Sequence, residues 1–225
     1  MEKTLGNEIL PFYILCDESG SMDANGGIDA VNKGLSELHA TLIRDPLLSD
    51  KCHIGLIAFS DLAEELVPLS NLSDIEKMPG CTAKGMTNYG EAFKLLRVII
   101  SRDIAAMKSR GMQVYRPAVF FISDGVPSDV DDWESSHRVL TDKSVNSQAP
   151  NIISFGVDGA SPSVIGKIGT AAAFISKPGI NPGNALEEIL KSLTQSIVDS
   201  FNSPEPTLII PNAPSGTTAV PLDLI

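Results

Sequence analysis

The chain has 225 residues, 43% of them hydrophobic and 20% charged, enough for one sizeable domain with an ordinary core. Its 28 acidic residues outnumber 17 basic ones for a net charge of −11, and no Lys/Arg cluster relieves it. Such a surface repels phosphate backbones and suits cations or basic protein patches, so nucleic-acid binding is not expected. The longest apolar runs, such as "PAVFFI" before Ser123 and "NIISFGV" from Asn151, fall far short of the roughly 18 to 20 residues that span a bilayer. The opening "MEKTLGNEILPF" lacks the apolar core and small-residue cleavage site of a signal peptide, so a cytoplasmic address is the expectation.

Taken in chain order, short β-branched or aromatic runs alternate with longer segments of helical period. "PFYILC" from Pro11, "CHIGLIAFS" from Cys52, "RPAVFFIS" from Arg116 and "NIISFGV" from Asn151 read as strands buried on both faces. "AEELVPLS" from Ala63 follows its predecessor too closely for a helical crossover, which makes it an antiparallel edge strand. Ile28, Val31, Leu35, Leu38 and Leu42 form one apolar helical stripe, and Ala92, Phe93, Leu96, Ile99, Ile100 and Met107 form another. A third helix is expected to start near Asn184, capped by its side chain with Glu187 reciprocating, and to bury Leu186, Ile189, Leu190, Leu193 and Ile197.

This alternation predicts an α/β fold: a doubly wound, Rossmann-like, mostly parallel sheet with one antiparallel edge strand and helices on both faces. Residues 1–203 form the expected domain, and the Pro/Ser/Thr-rich residues 204–225 read as a tail with little core, dispensable for folding, with docking by strand addition on the sheet edge or on a neighbouring molecule as the alternative. Cys16, Cys52 and Cys81 show no metal-type or redox-type spacing and are expected to be reduced, the first two inside strands.

The sheet gives chemical meaning to "CDESGSMD" from Cys16, where an apolar strand runs into carboxylates and hydroxyls with no basic residue among them. It opens on the same carboxyl edge as "ISDGVPSD" from Ile122, and a third polar turn, "AKGMTNYGEAF" from Ala83, leads into the second helix. Asp17, Ser19, Ser21, Thr87 and Asp124 therefore converge on one crevice. Gathering unpaired carboxylates is costly unless a cation sits between them, and this all-oxygen set suits Mg²⁺, with Mn²⁺ or Ca²⁺ as alternatives. "DESGS" alone would read as a helix cap and turn; its combination with Thr87 and Asp124 favours metal. Asp23, Asp129, Asp131 and Asp132 read as solvated loop charges, His39 and His53 lack a zinc-type partner, and Trp133 reads as a core or rim aromatic.

The Asp-x-Ser-x-Ser pattern from Asp17 to Ser21, Thr87 in its Gly-x-Thr turn and Ser-Asp-Gly from Ser123 to Gly125 resemble the metal-ion-dependent adhesion site (MIDAS) of von Willebrand factor A domains. The resemblance spans roughly residues 8 to 200. It implies that Ser19, Ser21 and Thr87 contact the metal through their hydroxyls, while Asp17 and Asp124 act mainly through bound water. The open coordination position would accept an Asp or Glu carboxylate from a protein partner. "GGIDAVNKGLSELHATLIRDP" and "GMTNYGEAF" further resemble bacterial TerY-type domains, which implies a stress or tellurium-resistance setting with a Ser/Thr kinase and a PP2C-type phosphatase as partners.

An enzyme is the competing class, because an aspartate after the first strand of an α/β sheet also describes Mg²⁺-dependent phosphatases of the haloacid-dehalogenase type. Those use a second carboxylate two residues on, where this chain has Ser19. No nucleophile elbow and no phosphate-binding loop are present. A non-enzymatic binding module is therefore the expectation.

Overall fold

The computed structural model describes residues 8–128, 132–203 and 207–219. In chain order the elements are β1 (Glu8–Ile9), β2 (Pro11–Asp17), α1 (Gly27–Leu42), α2 (Pro46–Lys51), β3 (His53–Phe59), β4 (Ala63–Asn71) and α3 (Tyr89–Ser109). They continue with β5 (Gln113–Val114), β6 (Ala118–Ser123), α4 (Trp133–Thr141), β7 (Asn151–Gly156), α5 (Pro162–Ile168), β8 (Ala172–Ser176), α6 (Pro182–Asn202) and β9 (Thr217–Ala219). Seven strands form the main sheet in the order β4-β3-β2-β6-β7-β8-β9. The pairings β3–β2, β2–β6, β6–β7 and β7–β8 are parallel, and the outer pairings β3–β4 and β8–β9 are antiparallel.

All seven residues of β2 are buried, as a strand covered on both faces requires. Period-2 alternation then divides its side chains between two cores. Phe12, Ile14 and Cys16 pack with Val31, Leu35 and Leu38 of α1 and Leu190 and Leu193 of α6. Tyr13 and Leu15 face the opposite layer, with Phe93, Leu96 and Ile100 of α3, Trp133 and Leu140 of α4 and Ile165 of α5. Helices α1 and α6 approach so closely that a Cβ at Gly34 would fall 2.2 Å from Leu190 Cδ1. The three apolar helical stripes expected from sequence are all buried. Among the described residues no helix is long and apolar enough to cross a membrane.

Several details differ from the sequence reading. The cap of α6 is Asn181, whose side chain accepts from Asn184 N at 3.2 Å, and Pro182 occupies the first turn, where its missing N–H costs nothing. Glu187 pairs instead with Lys33 of α1 at 2.7 Å. Asp132 is the N-cap of α4, accepting from Ser135 N at 3.1 Å; Asp129 and Asp131 lie outside the described residues. Trp133 is buried, meeting Tyr89 edge to face at 6.0 Å. The three cysteines are buried free thiols.

The C-terminal segment is also less detached than its composition implies. The Ser196 hydroxyl donates to Ile209 O, Ile209 N donates to Ser200 Oγ at 2.9 Å, and Leu208 packs on the α1–α6 core. Beyond it β9 adds a second antiparallel edge strand, pairing Thr217 with Ser176 and Ala219 with Phe174. Buried serine hydroxyls on a helix need acceptors and donors of their own, and the extended segment supplies both. Residues 204–206 and 220–225 lie outside the described residues.

Candidate metal site

Strands β2 and β6 are neighbours, with Cys16 opposite Ile122, so Asp17 and Asp124 leave the sheet side by side at its carboxyl edge. Asp17 is fully buried. Its Oδ1 accepts Ser19 N at 2.8 Å and its Oδ2 accepts the Ser123 hydroxyl at 2.6 Å. The Oγ atoms of Ser19 and Ser21 lie 3.1 Å apart, and Ser21 donates to Asp124 Oδ1 at 2.8 Å. Four of the five candidate residues thus form one hydrogen-bonded chain.

Thr87 arrives on a separate loop that is sewn to both neighbours. Lys84 N donates to Glu18 O at 2.7 Å and Gly20 N to Gly85 O at 3.0 Å, which ties the loop to the serine turn. Asp61, after β3, accepts Met86 N at 3.0 Å. Gly85 has φ +65°, and a Cβ there would fall 2.3 Å from Asp61 Oδ2, so the turn admits only glycine without rearrangement. Asn88 then caps α3 through Glu91 N at 3.1 Å. The Thr87 carbonyl accepts both the backbone N and the hydroxyl of Ser128 at 2.9 Å. Thr87 and Asp17 face each other across Gly125, where a Cβ would lie 3.0 Å from Thr87 Oγ1 and 3.5 Å from Asp17 Oδ2. The structure therefore brings all five side chains to one cradle, and the absence of a side chain at Gly125 keeps it open.

The electrostatics are those of a site short of positive charge. Burial pushes Asp17 up to about 6 against the pull of the Ser123 and Ser19 hydrogen bonds, and the nearby Asp124 charge adds to the rise. Asp124 is raised as well, chiefly by burial, with Ser21 opposing and Asp158 contributing. Glu18, which the sequence reading left unneutralised, has a basic partner: Lys84 Nζ sits 2.8 Å from its Oε1, and Thr82 N donates to Oε2 at 3.2 Å. Buried Glu18 therefore staples the Thr87 loop to the end of β2 and occupies the Lys84 ammonium, so that among the described residues no ion pair reaches Asp17 or Asp124.

Two carboxylates and three hydroxyls fit a hard divalent ion. Among the described residues no three His, Cys, Asp or Glu side chains gather in a cluster able to hold a metal, so hydroxyl oxygens are indispensable to this donor set. Two supporting residues escaped the sequence reading. Ser123 and Tyr89 form a relay beneath Asp17, with Tyr89 OH 2.7 Å from Ser123 Oγ and 3.1 Å from Gly125 O. The pairing of Tyr89 with Ser123 joins residues far apart in sequence and has no local signature; only the position of Ser123 directly before Asp124 hinted at it.

Known proteins agree with this architecture. Proximal thread matrix protein 1 from the mussel byssus is similar at 16% identity over 85% of this chain and 48% of that chain, with a TM-score of 0.61. In another structure of that protein zinc occupies its MIDAS motif, with 15% identity, coverage of 85% of this chain and 48% of that chain, and a TM-score of 0.55. The ArnB paralog VWA2 from Sulfolobus acidocaldarius shares 18% identity over 81% of this chain and 44% of that chain, at a TM-score of 0.54. A von Willebrand factor type A protein from Catenulispora acidiphila shares 16% identity over 84% of this chain and 43% of that chain, at 0.61. The chain spans less than half the length of these neighbours, and at such identities they bear on the fold alone. No curated protein matches the sequence. The family model for the von Willebrand factor type A domain matches residues 12–126, more than half of the 225-residue chain and the stretch that carries all five candidate side chains. The chain belongs to the von Willebrand factor type A domain family.

Proposed function

We propose that the chain is a non-enzymatic, metal-dependent protein-binding module in which Asp17, Ser19, Ser21, Thr87 and Asp124 hold a divalent cation, Mg²⁺ by the hardness of the donors. The observation that carries this reading is the open cradle at Gly125, where a Cβ would crowd Thr87 Oγ1 at 3.0 Å beneath two carboxylates raised by burial. When bound, such an ion supplies a positive coordination position for a carboxylate from a partner's Asp or Glu. Asp17 fixes the serine turn through Ser19 N, Ser21 holds Asp124 in place, and the Glu18–Lys84 pair positions the Thr87 loop. Ser19 stands where a phosphatase of the competing class would carry its acid. The setting in a bacterial stress or tellurium-resistance complex, with a Ser/Thr kinase and a PP2C-type phosphatase as partners, rests on the likeness of the α1 and Thr87 segments to TerY-type domains.

Capture of partners from lysate with and without chelator identifies a metal-dependent ligand, and a double-mutant cycle at fixed Mg²⁺ then tests the bridge. Thr87→Ala is expected to keep the fold and most metal affinity while weakening that partner at least about tenfold, or roughly 1.4 kcal/mol. Replacing the partner's key acid by its amide is expected to cost the same, without additivity. Fully additive losses, or binding indifferent to chelator, would place the partner elsewhere.

A further inference from the structure

We propose that Leu62, Met86 and Val126 form an apolar collar around the metal site, selecting a protein segment whose acidic residue is flanked by apolar side chains. The inference rests on the carboxylate-binding reading and names the chemistry of the partner. These three are among the most exposed large hydrophobic side chains of the described residues, at 73%, 57% and 59%. They belong to three different loops that hydrogen bonds draw to the same edge. Leu62 follows Asp61, whose carboxylate holds Met86 N at 3.0 Å. Met86 precedes Thr87, whose carbonyl is bonded to Ser128, two residues beyond Val126. Val126 adjoins Gly125, the floor between Thr87 and Asp17. Of the other exposed large hydrophobics among the described residues, Val98 lies on α3 and Val139 on α4, while Val145, Ile180 and Ile210 lie on segments outside these three loops, and scattered singles of that kind are ordinary.

Charge fixes the occupant. The chain carries −11 overall, and Asp23, Asp61 and Asp158 lie on the loops at this same edge, exposed to solvent. The cation on the Thr87 loop, Lys84, is committed to Glu18 at 2.8 Å. A segment dense in acidic residues would be repelled, whereas a single carboxylate set between apolar side chains meets the metal position at its centre and the collar at its rim. Apolar surface around a polar anchor also excludes water from it, the arrangement that concentrates binding energy at an interface centre.

The test uses two end-blocked peptides of equal length, one with Leu-Asp-Leu and one with Ser-Asp-Ser at its centre. Each is titrated against the full chain and against the triple variant Leu62→Ser, Met86→Ser, Val126→Ser, in Mg²⁺ and in EDTA, with circular dichroism confirming that the variant is folded. The expected result is that the Leu-Asp-Leu peptide binds the parent in Mg²⁺ at least about tenfold more tightly than Ser-Asp-Ser. That preference should shrink below about twofold in the variant, and both peptides should be lost in EDTA. Equal affinities for the parent, both lost in EDTA, overturn the collar and leave the carboxylate reading standing. Binding that persists in EDTA, or no binding by either peptide, overturns the carboxylate reading and the collar with it. Mg²⁺-dependent self-association in sedimentation, abolished by the triple variant, would make the occupant a second copy of the chain and overturn the assignment to a partner segment.

Discussion

Ser123 donates its hydroxyl proton to Asp17 Oδ2 at 2.6 Å from directly beneath the site. A hydroxyl has one proton to give and two lone pairs to fill. With its proton on Asp17, Ser123 Oγ accepts from Gly125 N at 3.1 Å, and Tyr89 OH shares its single proton between Ser123 Oγ at 2.7 Å and the Gly125 carbonyl at 3.1 Å. The step from Ser123 to Asp17 thus has a fixed direction for as long as Asp17 is ionised. Tyr89→Phe keeps the edge-to-face contacts with Phe59, Phe121 and Trp133 and removes one buried donor. It is expected to lower stability by about 1 kcal/mol and to weaken Mg²⁺ a few-fold, as chemical denaturation and calorimetry would measure. Unchanged values for both would show that the relay is incidental.

Acid should act on the site through Asp17. Its carboxyl is raised by burial from the ordinary 3.8 to about 6. In the metal-free protein the folded state therefore holds a proton between those values that the unfolded state has released, so stability falls as pH rises through the window. The full penalty, on the order of 3 kcal/mol, is present above pH 6. A bound cation competes with that proton, so affinity should run the other way, being highest above pH 6 and about tenfold weaker at pH 5. Mg²⁺ titrations between pH 5 and 7.5 check this; a flat profile would mean that Asp17 does not face the ion.

Gly125→Ala is the steric counterpart. Its Cβ would enter the cradle 3.0 Å from Thr87 Oγ1, closer than nearly all side-chain contacts, at a backbone position that itself tolerates alanine. The fold should survive with a melting temperature within a few degrees, while Mg²⁺ affinity drops at least about tenfold, or roughly 1.4 kcal/mol. Parent-like affinity in a folded variant would place the metal position outside this cradle.

Removal of residues 204–225 should destabilise the domain, contrary to what the tail's composition implies. It takes away the acceptor of the Ser196 hydroxyl, the N–H that Ser200 Oγ accepts and the whole of β9, leaving Ser200 only its bond to Ser196 O. Unsatisfied buried polar groups cost about 1 to 3 kcal/mol each, so a melting point lower by about 5 to 10 °C is expected for a chain of this size. A truncated chain that melts with the parent would show the segment to be peripheral.

The central strands were legible because burial on both faces leaves a continuous apolar run, as in β2 and β6. The three large helices were legible because each buries a full stripe. β8 was not, since "AAFIS" is alanine-rich and alanine carries little strand preference. α4 was not, because only Trp133 and Leu140 of its residues are buried, too few to establish a period. The start of α6 was placed three residues late, at Asn184 instead of Asn181, because the proline after Asn181, a residue suited to the first helical position, was read as part of the preceding turn. At the site, the oxygen donors announced themselves through residue type and strand position. Their supports did not: Glu18 meets Lys84 and Tyr89 meets Ser123 across long stretches of chain, and nothing local in sequence marks such a pair.

Calorimetric titration of Mg²⁺ into the parent and into Asp17→Asn at pH 7.5, alongside the thermal stability of each metal-free protein, tests the central claim most directly. The asparagine retains an oxygen able to accept from Ser19 N while removing a fully buried charge. The account predicts about one Mg²⁺ site per parent chain, with binding lost in a variant that stays folded although its amide NH₂ meets the Ser123 hydroxyl that Asp17 Oδ2 accepted. Undiminished Mg²⁺ binding by the folded variant would contradict it.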